Sequence, residues 1–182
     1  MANYVVLTRF DAETDKKLNR LGEALIEAGY VVPEWPPHIT IAAYENIEET
    51  IIHDWTEGFA AQHSRLDIGM HSLSILPPGG EHTETTVVCL APSHSKKLVD
   101  FYYAFHEKHE AYCTGIGWYN SITHGNPVMH ATLVIIPCVA LQKAIALCAT
   151  ANIFGNATIE ALELYTYPMR LIKRFELANQ KV

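Results

Sequence analysis

The chain has 182 residues, of which 49% are apolar and 18% charged, a length and composition typical of one globular domain, residues 1–182, with its own core. With 13 basic and 20 acidic residues the net charge is −7. This balance argues against a protein that binds long duplex nucleic acid through clustered Lys and Arg. A small or short anionic ligand in a local pocket stays compatible with it.

Neither the start of the chain nor its apolar runs carry a targeting or membrane pattern. Residues 1–10 lack a basic leader followed by a long apolar stretch, so we expect no secretory signal. The longest apolar-rich run, residues 131–141, is far shorter than the roughly 20 residues of a membrane-spanning helix. The four cysteines form no C-x-x-C pair and indicate reduced thiols of a cytoplasmic protein rather than disulfides or a zinc knuckle. They are Cys89, Cys113, Cys138 and Cys148.

The first half of the chain predicts three strands and two helices. Residues 4–10 are β-rich, and Asp11 is a candidate N-cap for a helix that ends at Gly29. The proline pair at 36–37 excludes helix, and residues 38–44 predict a second strand. Residues 66–76 predict a third strand, closed by a turn at 77–80. The helix between these last two strands is expected to bury Ile47, Ile51, Trp55 and Phe59.

The second half repeats this order. Residues 85–91 predict a strand, and Ser93 is a candidate N-cap for the next helix. A loop at 113–129 leads to a strand at 130–136, Pro137 suits the first turn of a helix, and strands follow at 158–167 and 169–177. The buried side of the first of these helices is predicted to consist of Leu98, Phe101, Tyr102, Phe105 and Tyr112.

Both halves, about 1–80 and 81–182, therefore have the order strand, helix, strand, helix, strand. Val5 and His38 are 33 residues apart, whereas Val87 and His130 are 43 apart, which places about ten extra residues in the loop at 113–129. We expect one α+β domain whose halves are related by a pseudo-twofold axis, with equivalent strands facing each other across it.

The second strand of each half contains the pattern His-apolar-Thr-apolar. Successive side chains of a strand point to opposite faces, so the His and Thr of each pattern share one face and the apolar residues anchor the other. Composition alone makes even one such pattern unexpected, yet two occur at matching places. The alternative is a pair of buried histidines whose ring nitrogens are satisfied by hydrogen bonds within the fold. The two patterns are His38-Ile39-Thr40-Ile41 and His130-Ala131-Thr132-Leu133.

These two motifs in a duplicated α+β chain resemble the two-histidine (2H) phosphoesterase superfamily, and within it the bacterial 2′-5′ RNA ligase-like branch. The resemblance extends from residue 4 to residue 177. It implies a two-lobed fold with antiparallel-rich sheets, helices outside and a central cleft. It also implies metal-independent phosphodiester cleavage, with His38 and His130 as the acid–base pair and Thr40 and Thr132 as phosphate ligands.

The chemistry of these residue types agrees with that resemblance. Cleavage of a phosphodiester needs a base for the attacking hydroxyl or water and an acid for the departing oxygen, and two imidazoles can supply both near neutral pH. Threonine hydroxyls can donate hydrogen bonds to the non-bridging oxygens. The near-symmetric motifs leave open which histidine is the base and which the acid.

We therefore predict a phosphodiesterase that cleaves 2′,3′-cyclic phosphates or 2′,5′-linked nucleotides and short RNA without a metal or other cofactor. It is expected to be a monomer that binds neither long duplexes nor membranes. A 2′-5′ RNA ligase or a cyclic-oligonucleotide hydrolase would use the same two histidines. A non-catalytic protein that binds nucleotides or RNA ends is the alternative from another class.

Other residues are weaker candidates. Trp118 and Tyr119, in the lengthened loop, are candidates for stacking on a base, although packing of the loop is the favoured interpretation. For Arg9, Arg170 and Lys173, surface solvation is favoured over neutralisation of a phosphate.

His106 and His109 lie three residues apart and could share a metal, but the sequence offers no third ligand with recognisable spacing. Packing is the favoured role for the histidine beside Phe105.

Overall fold

The structure, a computed structural model, describes residues 2–78, 83–124 and 127–179, and within these ranges the chain is α+β. Seven strands form one antiparallel sheet: β1 (Ala2–Phe10), β2 (Thr40–Ile47), β3 (Leu66–Leu76), β4 (Thr85–Pro92), β5 (Ala131–Pro137), β6 (Gly155–Tyr167) and β7 (Arg170–Glu176). Four α-helices accompany them: α1 (Ala12–Glu27), α2 (Glu49–Gln62), α3 (Lys96–Phe105) and α4 (Leu141–Thr150). Three short 3-10 helices span Glu110–Tyr112, Gly115–Asn120 and Cys138–Ala140.

The predicted order of elements is confirmed, and several of their details are wrong. Strand β2 continues to Ile47, so this residue belongs to the strand and not to the helix. The buried face of α2 is also shifted by one residue from the predicted face. Ile51 is thus exposed, whereas Ile52 and Phe59 are buried. Of the turn predicted at 77–80, residues 79 and 80 lie outside the described part of the chain.

The third helix is shorter than predicted. It begins after Ser95, whose hydroxyl accepts a hydrogen bond from the Leu98 amide, so the N-cap is not Ser93. It ends at Phe105, and the backbone of His109 takes a left-handed conformation with φ of 64° that breaks helical continuity. Tyr112 therefore lies in a 3-10 helix instead of on the buried face.

The sheet joins the two halves by exchanging their third strands. The strand order is β2-β1-β6-β3-β4-β5, with β7 paired to the free length of β6. The counterparts in the two halves are β1 and β4, β2 and β5, and β3 and β6. Exchanging each strand with its counterpart gives the same order of six strands, read from the opposite edge of the sheet. Strand β6 of the second half thus completes the β1–β2 lobe, and β3 of the first half completes the β4–β5 lobe. The β3–β6 pair lies at the centre of the exchange.

All four helices contribute buried side chains to one large core on a single face of the sheet. Asp11 shows how a helix is fastened there, because its carboxylate caps α1 at the amides of Glu13 and Thr14 and also accepts from the Thr158 amide of β6 at 2.8 Å. These three bonds lower the pKa of Asp11 even though burial opposes them.

The opposite face of the sheet carries a smaller apolar cluster and the threonines of both motifs. Val5 and Leu7 of β1 point to this face, while Tyr4 and Val6 point into the main core. Thr40 is the cross-strand partner of Leu7, so its side chain shares this face. No helix among the described residues is long and apolar enough to cross a bilayer.

Candidate active site

Each motif lies where the chain enters the second strand of its half. His38 and His130 directly precede the strands, two residues before the motif threonines. Burial follows the predicted alternation, since Ile39, Ile41, Ala131 and Leu133 are buried. The histidine and the threonine of each motif are half-buried.

Both motif strands have a β-bulge at the same point. The register between β1 and β2 moves from Val6↔Ala42 to Leu7↔Thr40, which leaves Ile41 as the extra residue. Between β4 and β5 the same step leaves Leu133 as the extra residue next to the Cys89↔Thr132 pair. A bulge breaks the alternation locally and turns the neighbouring side chains, a device common beside active sites. The two threonines therefore emerge from equivalent backbone environments.

The imidazole of each motif is anchored from behind by a main-chain carbonyl two residues earlier. Nδ1 of His38 lies 2.7 Å from the Pro36 oxygen, and Nδ1 of His130 lies 2.5 Å from the Val128 oxygen. Because a carbonyl oxygen can only accept, Nδ1 carries the hydrogen in both rings. This fixes the tautomer of the neutral ring and leaves Nε2 as the nitrogen that takes up or releases a proton.

The fold brings the two motifs together. A cavity of about 80 Å³ beside α1 and the segment before β2 is lined by His38 from the first motif and by Ala131, Thr132 and Leu133 from the second, whereas His130 and Thr40 do not line it. Val31, in the segment that precedes His38, forms an antiparallel bridge with Ile135 of β5. The segment before the first motif is thus fastened to the strand that carries the second.

His38 is held in its neutral form. Burial lowers its pKa to about 4, the hydrogen bond to the Pro36 carbonyl opposes this shift, and the positive charges of Arg9 and of His130 add to it. The influence of His130 on this pKa is a further sign that the two imidazoles are neighbours. Trp35 covers the ring, with centroids 5.4 Å apart and planes 25° from parallel.

Arg9 contacts the backbone beside the first motif. Its guanidinium donates to the Pro37 carbonyl at 3.2 Å, forms an ion pair with Asp15 and lies 3.6 Å from Glu163. Only 8% of Arg9 is exposed, so the predicted surface role is wrong for this residue. Its contacts make it part of the structure that holds the prolines and, through them, His38.

Thr132 contacts its cross-strand neighbour. Burial raises the pKa of the Cys89 thiol to about 12, and a side-chain hydrogen bond with Thr132 opposes this shift. Cys89, Cys113 and Cys148 are buried, Cys138 is exposed, and all four are free thiols.

The lengthened loop of the second half packs against the outer edge of β2. Gly117 lies so close to this strand that a Cβ there would be 1.9 Å from the Ala43 oxygen. Trp118 and Tyr119 follow it, exposed by 47% and 73%, with their rings edge-to-face at 5.4 Å. The amide of Asn120 reaches the Thr40 carbonyl at 3.5 Å. The loop thereby places both aromatic rings next to the strand of the first motif.

With this geometry established, we compared the chain with known proteins. No family model matches the sequence, and no curated protein matches it significantly. Solved structures do match. Escherichia coli LigT in its apo form has a TM-score of 0.60 at 10% identity, with 98% of each chain covered. TT0787 of Thermus thermophilus has a TM-score of 0.58 at 12% identity, with 98% of this chain and 100% of the other covered.

Kluyveromyces marxianus Usb1 has a TM-score of 0.55 at 9% identity, with 97% of this chain and 98% of the other covered. These three proteins are 2H phosphoesterases. The chain has the 2H phosphoesterase fold. The fold class expected from the two motifs and the duplicated pattern is therefore confirmed.

Two groups of side chains in the described part of this 2H phosphoesterase fold have the donor types and spacing that a metal ion needs: His106 with Glu110 and Cys113, and His53 with Asp54 and Glu57. Neither group contains a motif residue. The sequence offers His106 and His109 as a pair that could share a metal and favours packing for His106, whereas the group that contains His106 takes Glu110 and Cys113 as its other members.

Of the other cations considered, Lys173 bonds Glu57 of α2 at 2.7 Å, so its charge is directed to that carboxylate. Arg170 is exposed at the start of β7.

Sequence reasoning missed Trp35 and the role of His106. Trp35 stands three residues before His38, next to the proline pair, and this proximity was the available signal. His106 is separated by 65 residues from Ile41, whose carbonyl it contacts, so no local pattern could reveal it.

Proposed function

We propose that this protein is a metal-independent phosphodiesterase that cleaves 2′,3′-cyclic phosphates or 2′,5′-linked nucleotides by general acid–base catalysis between His38 and His130. The observation that carries the proposal is the matched anchoring of both imidazoles through Nδ1, and it is supported by a cavity that both His38 and Thr132 line. Anchored rings present Nε2 at fixed positions, which is what proton transfer to and from a reacting oxygen requires.

The different surroundings of the two rings support different roles for them in this mechanism. His38, neutral at physiological pH because burial lowers its pKa to about 4, accepts the proton of the attacking hydroxyl or water at Nε2. His130 then supplies a proton to the departing oxygen as the general acid of the pair. Thr40 and Thr132 donate hydroxyl hydrogen bonds to the non-bridging oxygens as negative charge builds on them.

The likeness to proteins solved with nucleotides supports a nucleotide substrate. LigT has been solved in complexes with 3′-AMP, with NADP+ and with phosphate, and Usb1 with uridine monophosphate. A net charge of −7 favours a short substrate held at one phosphate over a long polyanion. Trp118 and Tyr119 are suited to stack on a base beside that phosphate, because their rings are exposed at the edge of β2.

A substrate panel separates this proposal from its relatives. Cyclic mononucleotides, 2′,5′-oligoadenylates and cyclic dinucleotides are incubated with the protein, and the products are resolved by chromatography. Opening of a 2′,3′-cyclic phosphate or hydrolysis of a 2′,5′ bond supports the proposal. Conversion of cyclic dinucleotides alone, or net joining of RNA ends, assigns the same site to the alternative reactions.

The decisive variants are His38→Ala and His130→Ala. Each is expected to lower kcat by about 10²- to 10⁴-fold, the contribution of one acid–base group, while substrate binding measured by calorimetry persists. His71→Ala is the matched control, since this exposed histidine of β3 belongs to neither motif. Turnover is expected to survive EDTA. A wild-type protein that binds nucleotides without turnover would instead be a binding module, and activity lost to EDTA and restored by one divalent ion would contradict the mechanism.

A further inference from the structure

The outer edge of β2 is covered by the segment that follows α3. Strand β2 is an edge strand of the sheet: one of its edges pairs with β1, and the other has no strand partner among the described residues. The other edge receives three contacts from this segment: the Asn120 amide reaches the Thr40 carbonyl, Gly117 packs on the Ala43 oxygen, and the His106 ring contacts the Ile41 oxygen. Such cover protects polar backbone groups that an edge strand leaves unpaired.

Of these three contacts, the one made by His106 is a short hydrogen bond, and its donor is a buried ring. Its Nε2 lies 2.9 Å from the Ile41 oxygen, and the residue is 2% exposed. Because the carbonyl can only accept, Nε2 carries a hydrogen and donates it. The ring is stacked on Tyr102, with centroids 4.7 Å apart, which fixes its plane.

Glu110 locks the ring from the other side. One carboxylate oxygen lies 2.5 Å from Nδ1 of His106, and the other accepts hydrogen bonds from the Ser121 hydroxyl and from the Thr123 amide at 3.0 Å. Burial opposes ionisation of Glu110, but these bonds together lower its pKa, so it is a carboxylate. A proton therefore lies between Nδ1 and the carboxylate, and a charge-assisted pair holds the Ile41 carbonyl.

The carbonyl that His106 holds belongs to the bulge of the first motif. Ile41 is the extra residue of that bulge and directly follows Thr40. The orientation of Thr40, and of His38 two residues earlier, depends on where this bulge sits relative to β1. A shift of about 1 Å at a positioning site can cost on the order of 10²-fold in rate.

We propose that His106, locked by Glu110, is a positioning residue for the first motif, holding the bulge that directs Thr40 and His38 at the substrate phosphate. The inference rests on the proposed phosphodiesterase function. It adds a group that never touches the substrate and that comes from the opposite half of the chain. The extra length of the second half is thereby given a purpose in positioning, since Ser121 and Thr123, which bind the Glu110 carboxylate, lie within it.

The test compares two substitutions at one position. His106→Phe keeps an aromatic ring over Tyr102 but removes both hydrogen bonds, and we expect kcat on uridine 2′,3′-cyclic phosphate to fall about 10- to 100-fold, with KM changed less than about threefold. His106→Gln retains a side-chain N–H that reaches the Ile41 carbonyl, and we expect it to restore kcat to within about fivefold of wild type. A role in stability alone would not separate kcat from KM or give this recovery.

His63→Phe is the matched control. His63 also bonds a main-chain carbonyl through its ring, at 2.8 Å to Phe59, and also stacks on an aromatic ring, at 3.7 Å, but it lies at the end of α2 away from both motifs. We expect this variant to change Tm without changing kcat. If His106→Phe fails to fold, Glu110→Gln, which keeps the size of the side chain and weakens the lock, is expected to lower kcat in the same direction.

Each result has a definite meaning. If the wild type turns over and kcat of His106→Phe stays within twofold of it, this inference is overturned and the proposed function stands. A loss of kcat that His106→Gln does not recover assigns His106 to stability and also overturns it. One equivalent of tightly bound metal, lost in His106→Phe, would make Nδ1 a ligand and overturn the hydrogen-bond assignment. A wild-type protein without turnover on any of the substrates contradicts the proposed function itself.

Discussion

At the scale of single residues, two nearly identical motifs have different surroundings, and these support the different roles that we propose for their histidines. Both imidazoles are anchored through Nδ1 to a carbonyl two residues earlier, so neither the motif nor the tautomer separates them. Trp35 and the nearby guanidinium of Arg9 act on His38. Desolvation and positive charge both disfavour a cationic ring, and this is why the first histidine is suited to be the base.

This asymmetry predicts the acidic limb of the pH–rate profile. A base must be unprotonated, so kcat/KM falls as the pH drops through the pKa of His38, which is about 4, rather than near the 6.5 of an ordinary histidine. Trp35→Ala admits water to the ring and is expected to move this limb towards pH 6.5. Profiles of kcat/KM against pH for both proteins measure the shift.

The lowered pKa of His38 also makes the stability of the fold depend on pH, and this dependence is an independent check of the pKa. The unfolded chain binds the proton of His38 below about pH 6.5 and the folded chain only below about pH 4, so stability falls as the pH drops through this window. Trp35→Ala should flatten that part of the stability curve, measured by urea unfolding at several pH values. An acidic limb near 6.5 in the wild type, unmoved by the substitution, would remove His38 from the role of base.

At the scale of elements, each half of the chain braces the motif strand of the other. The segment before β2 bridges from Val31 to Ile135 on β5, and the segment after α3 packs against β2. In the second case the approach is close enough that only glycine fits at position 117. The part of the 113–129 loop from Gly115 to Asn120 is thus part of the first motif's support and not a free insertion.

Gly117→Ala tests this support. Its Cβ would meet the Ala43 oxygen at 1.9 Å, a main-chain atom that cannot move aside without disturbing β2. We expect a loss of about 1–3 kcal/mol, as in other overpacked sites, which corresponds to a fall in Tm of several degrees. Thermal unfolding measures it, and the same variant should lose activity because the displaced loop releases the Thr40 and Ile41 carbonyls.

Gly58→Ala is the opposite case in the same protein. Gly58 lies within α2 with open space where a Cβ would stand, so alanine is expected to stabilise the helix by about 0.5–1 kcal/mol and leave kcat unchanged. Equal Tm values for the two variants would show that the loop does not need close contact with β2.

At the scale of the whole molecule, the parts that sequence could predict are those with local patterns. The order of elements and the alternating burial beside His38 and His130 follow from periods of 3.6 and of two residues, and both are confirmed where the structure describes them. The exchange of β3 and β6 and the contact of His106 with Ile41 join residues far apart in sequence. Pairing at such separation leaves no periodic trace, so these features emerge only from the fold.

The molecule's overall charge sets the last prediction, which concerns substrate length. If the net charge of −7 and the proposed site for a single phosphate set the affinity, added nucleotides should contribute little binding. We expect kcat/KM for oligonucleotides ending in a 2′,3′-cyclic phosphate to rise less than about tenfold from two to twenty nucleotides. Each neutralised phosphate of a single strand adds about −0.7 to the slope of log affinity against log salt, so this slope should be no steeper than about −1.4, the value for two contacts. Competition by the same oligonucleotides with 3′-hydroxyl ends, measured across a salt series, is the control. Tight, steeply salt-dependent binding of the twenty-nucleotide competitor would reveal an extended basic track and make long RNA the substrate.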